Sequence, residues 1–160
     1  ARTVRSAVLW MMGSTAGADW QTVAVAAAYT LPTALVIIAL ARPLKTLAVG
    51  EETALYLGTD VERVKRIAFA AASLVTAAGV AVAGVIGFVG LVVPHALRLV
   101  VGSDHRILLP LCFLVGAAFL TTADTLARVI LSPTEIPIGV VTAFVGVPIF
   151  LVLLRRSAFR

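Results

Sequence analysis

Charge is what this chain has least of. Asp, Glu, Lys and Arg make up 13% of its 160 residues, against 61% hydrophobic, where a soluble domain carries roughly 25% charged and about 45–50% apolar residues. The few charges are unevenly spread. None falls between Asp19 and Arg42, between Arg66 and Arg98, between Arg106 and Asp124, or between Glu135 and Arg155. A bilayer-spanning helix needs about 17–25 apolar residues, so each gap is a candidate span. A lone cysteine, Cys112, excludes an internal disulfide and reads as a small packing residue. Catalytic signatures are missing as well: the chain has no HExxH, no GxSxG and no Walker loop. His95 and His105 lie ten residues apart, which is not a metal-ligand spacing. They read as polar groups at helix ends, and no metal site is expected. Nor is a secretory leader evident, because the apolar run after Arg2 and Arg5, Ala7–Met12, is too short. The start resembles a cut from something longer.

What is present fits a polytopic membrane protein. The net charge of +5 would suggest nucleic acid in a soluble protein. Here the basic residues flank apolar segments, so they report topology and contact with anionic headgroups. The first span is expected at about Trp20–Ala41, with Trp20 as an interfacial anchor, Pro32 as a tolerated kink and Arg42-Pro43 as its end. Residues 42–66 form the one extended polar segment. Within it, Gly50–Gly58 reads as a short helix closed by glycine, and Asp60 opens another with acids in its first turn.

The run Ile67–Pro94 is too long for one span and too short for two full ones, with Gly84, Gly87 and Gly90 in its middle. Unbroken, it gives four spans in the chain. Broken at Gly84–Gly87 into helices of about 67–83 and 87–101, it gives five. If 42–66 is cytoplasmic, only the five-span arrangement also places Arg98–Arg106 and Arg155-Arg156 inside, as the positive-inside bias requires. The remaining helices are expected at about 107–129 and 138–154, separated by Ser132-Pro133-Thr134-Glu135-Ile136-Pro137 as an external loop. The expected fold is therefore an all-α polytopic bundle of about five spanning helices, one membrane domain over residues 1–160.

Few residues in the spans offer chemistry. Asp124 and Arg128 share a helix face at i,i+4. They read either as an ion pair with Arg128 reaching the interface, or as a partner surface or transport-path site. The glycines around Val85–Gly90 permit close helix approach or a turn. Pro94-His95 followed by Arg98 reads as a bent helix meeting the cytoplasmic interface. The polar 42–66 segment is a solvated loop or a docking site for a soluble partner.

Taken in order, the fragments resemble one family. They are Trp10-Met11-Met12-Gly13-Ser14, Ala41-Arg42-Pro43-Leu44, Gly50-Glu51, Ile86 to His95 with Arg98, Gly102-Ser103-Asp104-His105-Arg106, Leu108-Leu109-Pro110, Ala123-Asp124 with Ala127-Arg128, Glu135 to Ala143, Gly146 and Pro148. Each is weak alone. Their order and spacing resemble the FecCD-type permeases of bacterial ABC importers for iron-siderophores, haem and cobalamin. Such permeases have about ten membrane helices, and this chain is similar to helices six to ten, the C-terminal half.

The resemblance implies several roles. A cytoplasmic coupling segment at about 43–66, with two short helices over Leu47–Val64, would dock on an ATPase subunit through Gly50, Glu51, Ala54, Leu57 and Gly58. ATP binding closes the ATPase dimer, and these helices pass the movement to the bundle. Arg128 matches a position that pairs with glutamates of an extracytoplasmic substrate-binding protein. Gly87, Gly90, Pro94, His95, Arg98, Asp124, Glu135, Pro137 and Gly139 would be structural or gating residues. No cofactor is expected on this chain; ATP and magnesium belong to the ATPase. A second permease subunit and membrane lipid complete the expected partners, in a bacterial inner membrane. A membrane scaffold without a transport path is the alternative.

Overall fold

A computed structural model describes residues 7, 8, 10–15, 17–130 and 136–158. Among these, seven helices follow a short helical stretch before Gly13: α1 (Trp20–Ala39), α2 (Ala41–Val49), α3 (Glu51–Tyr56), α4 (Val61–Ala83), α5 (Val89–Val101), α6 (His105–Ile130) and α7 (Ile138–Ala158). The all-α expectation holds. Three stretches, Trp20–Ala39, Val61–Ala83 and His105–Val129, are long and apolar enough to cross a membrane; Val89–Val101 and Ile138–Val152 are shorter apolar helices.

Two of the long helices begin where an aspartate satisfies one of their first N–H groups. Asp19 caps α1 by accepting from the Thr22 N–H at 2.7 Å. Asp60 caps α4 by accepting from the Arg63 N–H at 3.1 Å, with Glu62 in the first turn. Pro32 inside α1 donates no backbone hydrogen bond. The following residue, Thr33, donates its hydroxyl to the Tyr29 carbonyl at 2.6 Å.

Two expected boundaries move. Arg42-Pro43 does not end the helical path: after one turn residue, Leu40, α2 runs from Ala41. Proline is tolerated there because Pro43 lies in the first turn, where its missing N–H would have had no helical partner. The Asp60-initiated helix and the 67–83 span are one helix, α4, which carries its polar first turns directly into the membrane.

The break in the long apolar run falls where the glycines predict it. α4 stops at Gly84, φ +70°, and α5 starts after Phe88, φ +66°. A 13-residue helix such as α5 rises only about 20 Å, short of a ~30 Å hydrocarbon core. The non-helical 84–88 stretch therefore contributes to that crossing. Irregular backbone at membrane depth survives only where protein covers it; the 12–14 segment packs over the start of this stretch, against Gly84, while Val85 stays half exposed. The Ser14 N–H donates to the Ala83 carbonyl at 2.9 Å, the Ile138 N–H to Gly13 at 3.0 Å and the Gly139 N–H to Met12 at 3.2 Å.

Three chain segments thus cross within backbone contact, and glycine makes room for them. A Cβ on Gly84 would lie 2.1 Å from the Trp10 carbonyl oxygen, and one on Gly139 2.3 Å from that of Met12. Phe88 is the one non-glycine at positive φ among the described residues. Its side chain fills the space left by Gly146, where a Cβ would stand 2.5 Å from Phe88 Cβ. By contrast, a Cβ on Gly87 or Gly90 would meet nothing within 4 Å. Gly87 lies in the non-helical turn between α4 and α5, the other reading open to these glycines, while the close approach is made by Gly84 at the end of α4.

Packing is by small and β-branched residues. Ala41, Ala71, Val92, Val93, Ala123 and Ala127 are buried, whereas Phe69, Leu114 and Phe144 face outward. Lipid offers no hydrophobic penalty for those exposed side chains, so contacts between helices depend on close fit. α1 packs along α4, α5 packs along α6, and α7 contacts both α5 and α6.

Gly84→Ala is expected to destabilise the protein by about 2–5 kcal/mol, combining a strained left-handed residue with a backbone clash. Gly79→Ala, inside α4 with open space around its Cα, is expected to be neutral. Thermal melting in detergent compares the two.

Candidate functional site

The polar residues gather at opposite ends of the bundle. At one end, α2 and α3 form a two-helix hook between α1 and α4. Gly50 makes its corner with φ +146° and ψ +146°, a conformation open to glycine. Gly58 closes α3 at φ +77°, and its N–H donates to the Leu55 carbonyl while that of Thr59 reaches Ala54. Glu51 and Glu52 occupy the first turn of α3, where the helix dipole favours carboxylates.

Among the five residues expected to contact a partner, Ala54 is 0% exposed and seats α3 on the bundle. Leu57 is 70% exposed, and Val49, Leu55 and Tyr56 stand out beside it, Tyr56 at 91%. Four large apolar side chains next to two carboxylates make a mixed surface outside the apolar helices. The sequence reading did not single out Val49, Leu55 or Tyr56, since scattered apolar residues in a polar loop carry no periodic signal.

Two ion pairs hold the hook. Lys65 of α4 pairs with Glu51. Lys45 of α2 meets Asp104, just before α6, at 2.9 Å. Asp104 also accepts from the Arg106 N–H at 3.1 Å, and its backbone carbonyl accepts from Ile107 and Leu108. The Lys45 hydrogen bond, helped by the Arg106 N–H, lowers the Asp104 carboxyl below its ordinary 3.8. A depressed carboxyl stabilises the contact above the ordinary carboxylate range. That contribution is lost as pH falls through the lowered value, so the contact is intact at neutral pH.

The opposite end is built around α6. Arg128 Nε donates to Asp124 Oδ2 at 2.9 Å, so the ion pair that the spacing allowed is formed. An unexpected third member joins it. Thr15 Oγ1 donates to Asp124 Oδ1 at 2.6 Å and accepts from Arg128 Nη2 at 3.1 Å. The side chains of Arg128 and Asp124 are 47% and 28% exposed. Such a pair contributes on the order of 0.5 kcal/mol, so its main effect is geometric: it fixes where the guanidinium stands. Thr15 is placed by the crossing of segments 12–14, 83–85 and 138–139. No local pattern could have revealed it, because it lies 109 residues from Asp124.

The remaining motif residues scatter between these ends. Pro94, His95 and Arg98 lie within α5. His95 is therefore mid-helix rather than at a helix end, whereas His105 opens α6. Among the described residues, His95 Nε2 and His105 Nδ1 are buried without a hydrogen-bond partner. No group of three or more His, Cys, Asp or Glu side chains is placed to hold a metal ion among the described residues. Pro137 precedes α7 and Gly139 is its second residue, at the crossing. Glu135 lies outside the described residues. Gly87, Gly139, Met12 and Phe144 help line an apolar hollow of about 680 Å³.

The chain is 52% identical to the cobalamin import system permease protein BtuC of Halobacterium salinarum, over 99% of its own length and 42% of the relative's. It is 46% identical to the hemin transport system permease protein HmuU of Yersinia pestis, over 96% of the chain and 46% of the relative. Among solved structures it superimposes on a metal-chelate type ABC transporter in an inward-facing conformation. The TM-score is 0.91 at 35% identity, covering 96% of this chain and 49% of that one. The chain thus spans less than half the length of these relatives. The model of the FecCD transport family matches residues 1–156, and the chain belongs to that family.

Proposed function

We propose that this chain forms the C-terminal half of a permease subunit in a binding-protein-dependent ABC importer. It would carry an iron-siderophore, haem or cobalamin inward across a bacterial inner membrane. In this reading the permease is not an enzyme and binds no cofactor; ATP and magnesium sit on a separate ATPase subunit. A second permease subunit lines the path with it. The observation that carries the reading is the hook: Glu51 and Glu52 beside exposed Val49, Leu55, Tyr56 and Leu57, on a corner tied to α4 and α6 by ion pairs. Large apolar side chains standing out in water beside two carboxylates suit a protein partner.

The ion pairs supply a route for force. Movement of the hook by an ATPase dimer would reach α4 through Glu51–Lys65 and α6 through Lys45–Asp104. α6 then extends to Asp124 and Arg128 at the other face. There Arg128, held by Asp124 and Thr15, would receive a carboxylate of the substrate-binding protein. A preset guanidinium loses less freedom on binding than a mobile one.

Reversing both charges, Glu51→Lys with Glu52→Lys, is expected to abolish most substrate-stimulated ATPase activity of the complete transporter while basal hydrolysis persists; unchanged coupling would remove the docking assignment. Arg128→Glu is expected to weaken binding-protein affinity at least tenfold, since it exchanges attraction for repulsion. Surface plasmon resonance on the reconstituted transporter measures it, and undiminished affinity would leave Asp124–Arg128 as a structural pair only.

A further inference from the structure

α1 and α4 pack along each other yet leave an open groove on their outer side. Its inner part, about 480 Å³, is walled by apolar side chains that include Val36, Ile67 and Leu74, with Arg63 and Arg66 at the end nearest the hook. Leu74 also lines a second hollow of about 240 Å³, which continues the groove towards Tyr29. The positive-inside bias already places cations at this end of α4; the groove sets an apolar trough directly beside them.

The arginines are available to a ligand. Lys65, between them, is turned to Glu51. Arg63 makes no ion pair among the described residues, and Asp60 takes only its backbone N–H. Arg66 meets Glu62 at 3.4 Å, but both side chains are 81% exposed, so the pair is weak. Depth also fits. Leu74 lies about 12 Å along α4 from Arg66 at 1.5 Å per residue. That is within one leaflet, about half of a ~30 Å hydrocarbon core. A group anchored at the arginines and extending along the groove to Leu74 therefore has the length of an acyl chain in the inner leaflet.

We propose that this groove binds an anionic phospholipid, its phosphate held by Arg63 and Arg66 and one acyl chain lying along Ile67, Leu74 and Val36. Basic pockets between membrane helices on the cytoplasmic side suit such headgroups. A protein segment filling the groove would instead have to desolvate both guanidinium groups, whereas a headgroup leaves them hydrated. The site depends on the membrane placement of α1 and α4 and on a cytoplasmic 42–66 segment. It does not depend on the importer reading.

The test reconstitutes the protein, with any partners that copurify, into phosphatidylcholine vesicles containing phosphatidylglycerol with a diazirine on its acyl chain. After photolysis, mass spectrometry should place adducts on Val36, Ile67 and Leu74. Diazirine phosphatidylcholine should label these positions far less. Each arginine removed, Arg63→Gln and then Arg63→Gln with Arg66→Gln, should lower the phosphatidylglycerol adducts about fivefold, while Arg106→Gln should not. Leu74→Trp keeps both arginines but fills the trough, and should displace adducts from Val36. Equal labelling by the two lipids, labelling indifferent to both arginines, or cross-links from these residues to protein in place of lipid would each overturn the proposal.

Discussion

The structure depends on one constraint: the chain before α1, the end of α4 and the start of α7 must pass one another within backbone contact. The 12–14 segment meets this by bonding to Ala83 on one side and to Ile138 and Gly139 on the other, at distances that admit no Cβ at Gly84 or Gly139. Much else follows from the crossing. It ends α4, lets α5 begin short, sets the first turn of α7 and delivers Thr15 to Asp124 and Arg128. A side chain at Gly84 would therefore disturb more than its own turn.

The bundle divides into an α1/α4 pair and an α5/α6/α7 group. At the crossing, backbone hydrogen bonds from the 12–15 segment join them: α4 through Ala83, α7 through Ile138 and Gly139. At the hook, solvent-accessible ion pairs do so, Lys45 to Asp104 and Lys65 to Glu51. Backbone bonds shielded from water resist opening, and exposed ion pairs exchange readily. The crossing end is therefore held more firmly than the hook end.

Much of the fold was legible in the sequence because lipid imposes strong local signals. The gaps between charges located the apolar helices, and Gly84 marked the break. Asp60 announced α4, and the four-residue spacing of Asp124 and Arg128 announced their pair. What was hidden is non-local. Thr15 meets α6 across more than a hundred residues, Phe88 fills the space opposite Gly146, and Lys45 finds Asp104. None of these has a periodicity or a neighbour to betray it. Gly87 falls in the break, as the glycine cluster suggested, but neither it nor Gly90 makes a close contact: a glycine shows that a close approach is permitted, not that one occurs. Arg42-Pro43 looked like a terminus because proline cannot continue a helix, yet the same residue fits the first turn of a new one.

The central claim is that the break at Gly84 turns the chain back, so that the loop before α6 returns to the side of the hook and Arg128 stands on the other. Single cysteines at Ala18, Glu52 and Ser103 in a Cys112→Ser background, probed in intact cells with a membrane-impermeant maleimide, test it most directly. The account predicts labelling at Ala18→Cys from outside, and at Glu52→Cys and Ser103→Cys only after permeabilisation. Labelling of Ser103→Cys from outside, with Glu52→Cys protected, would mean that residues 67–101 cross the membrane once, and would contradict it.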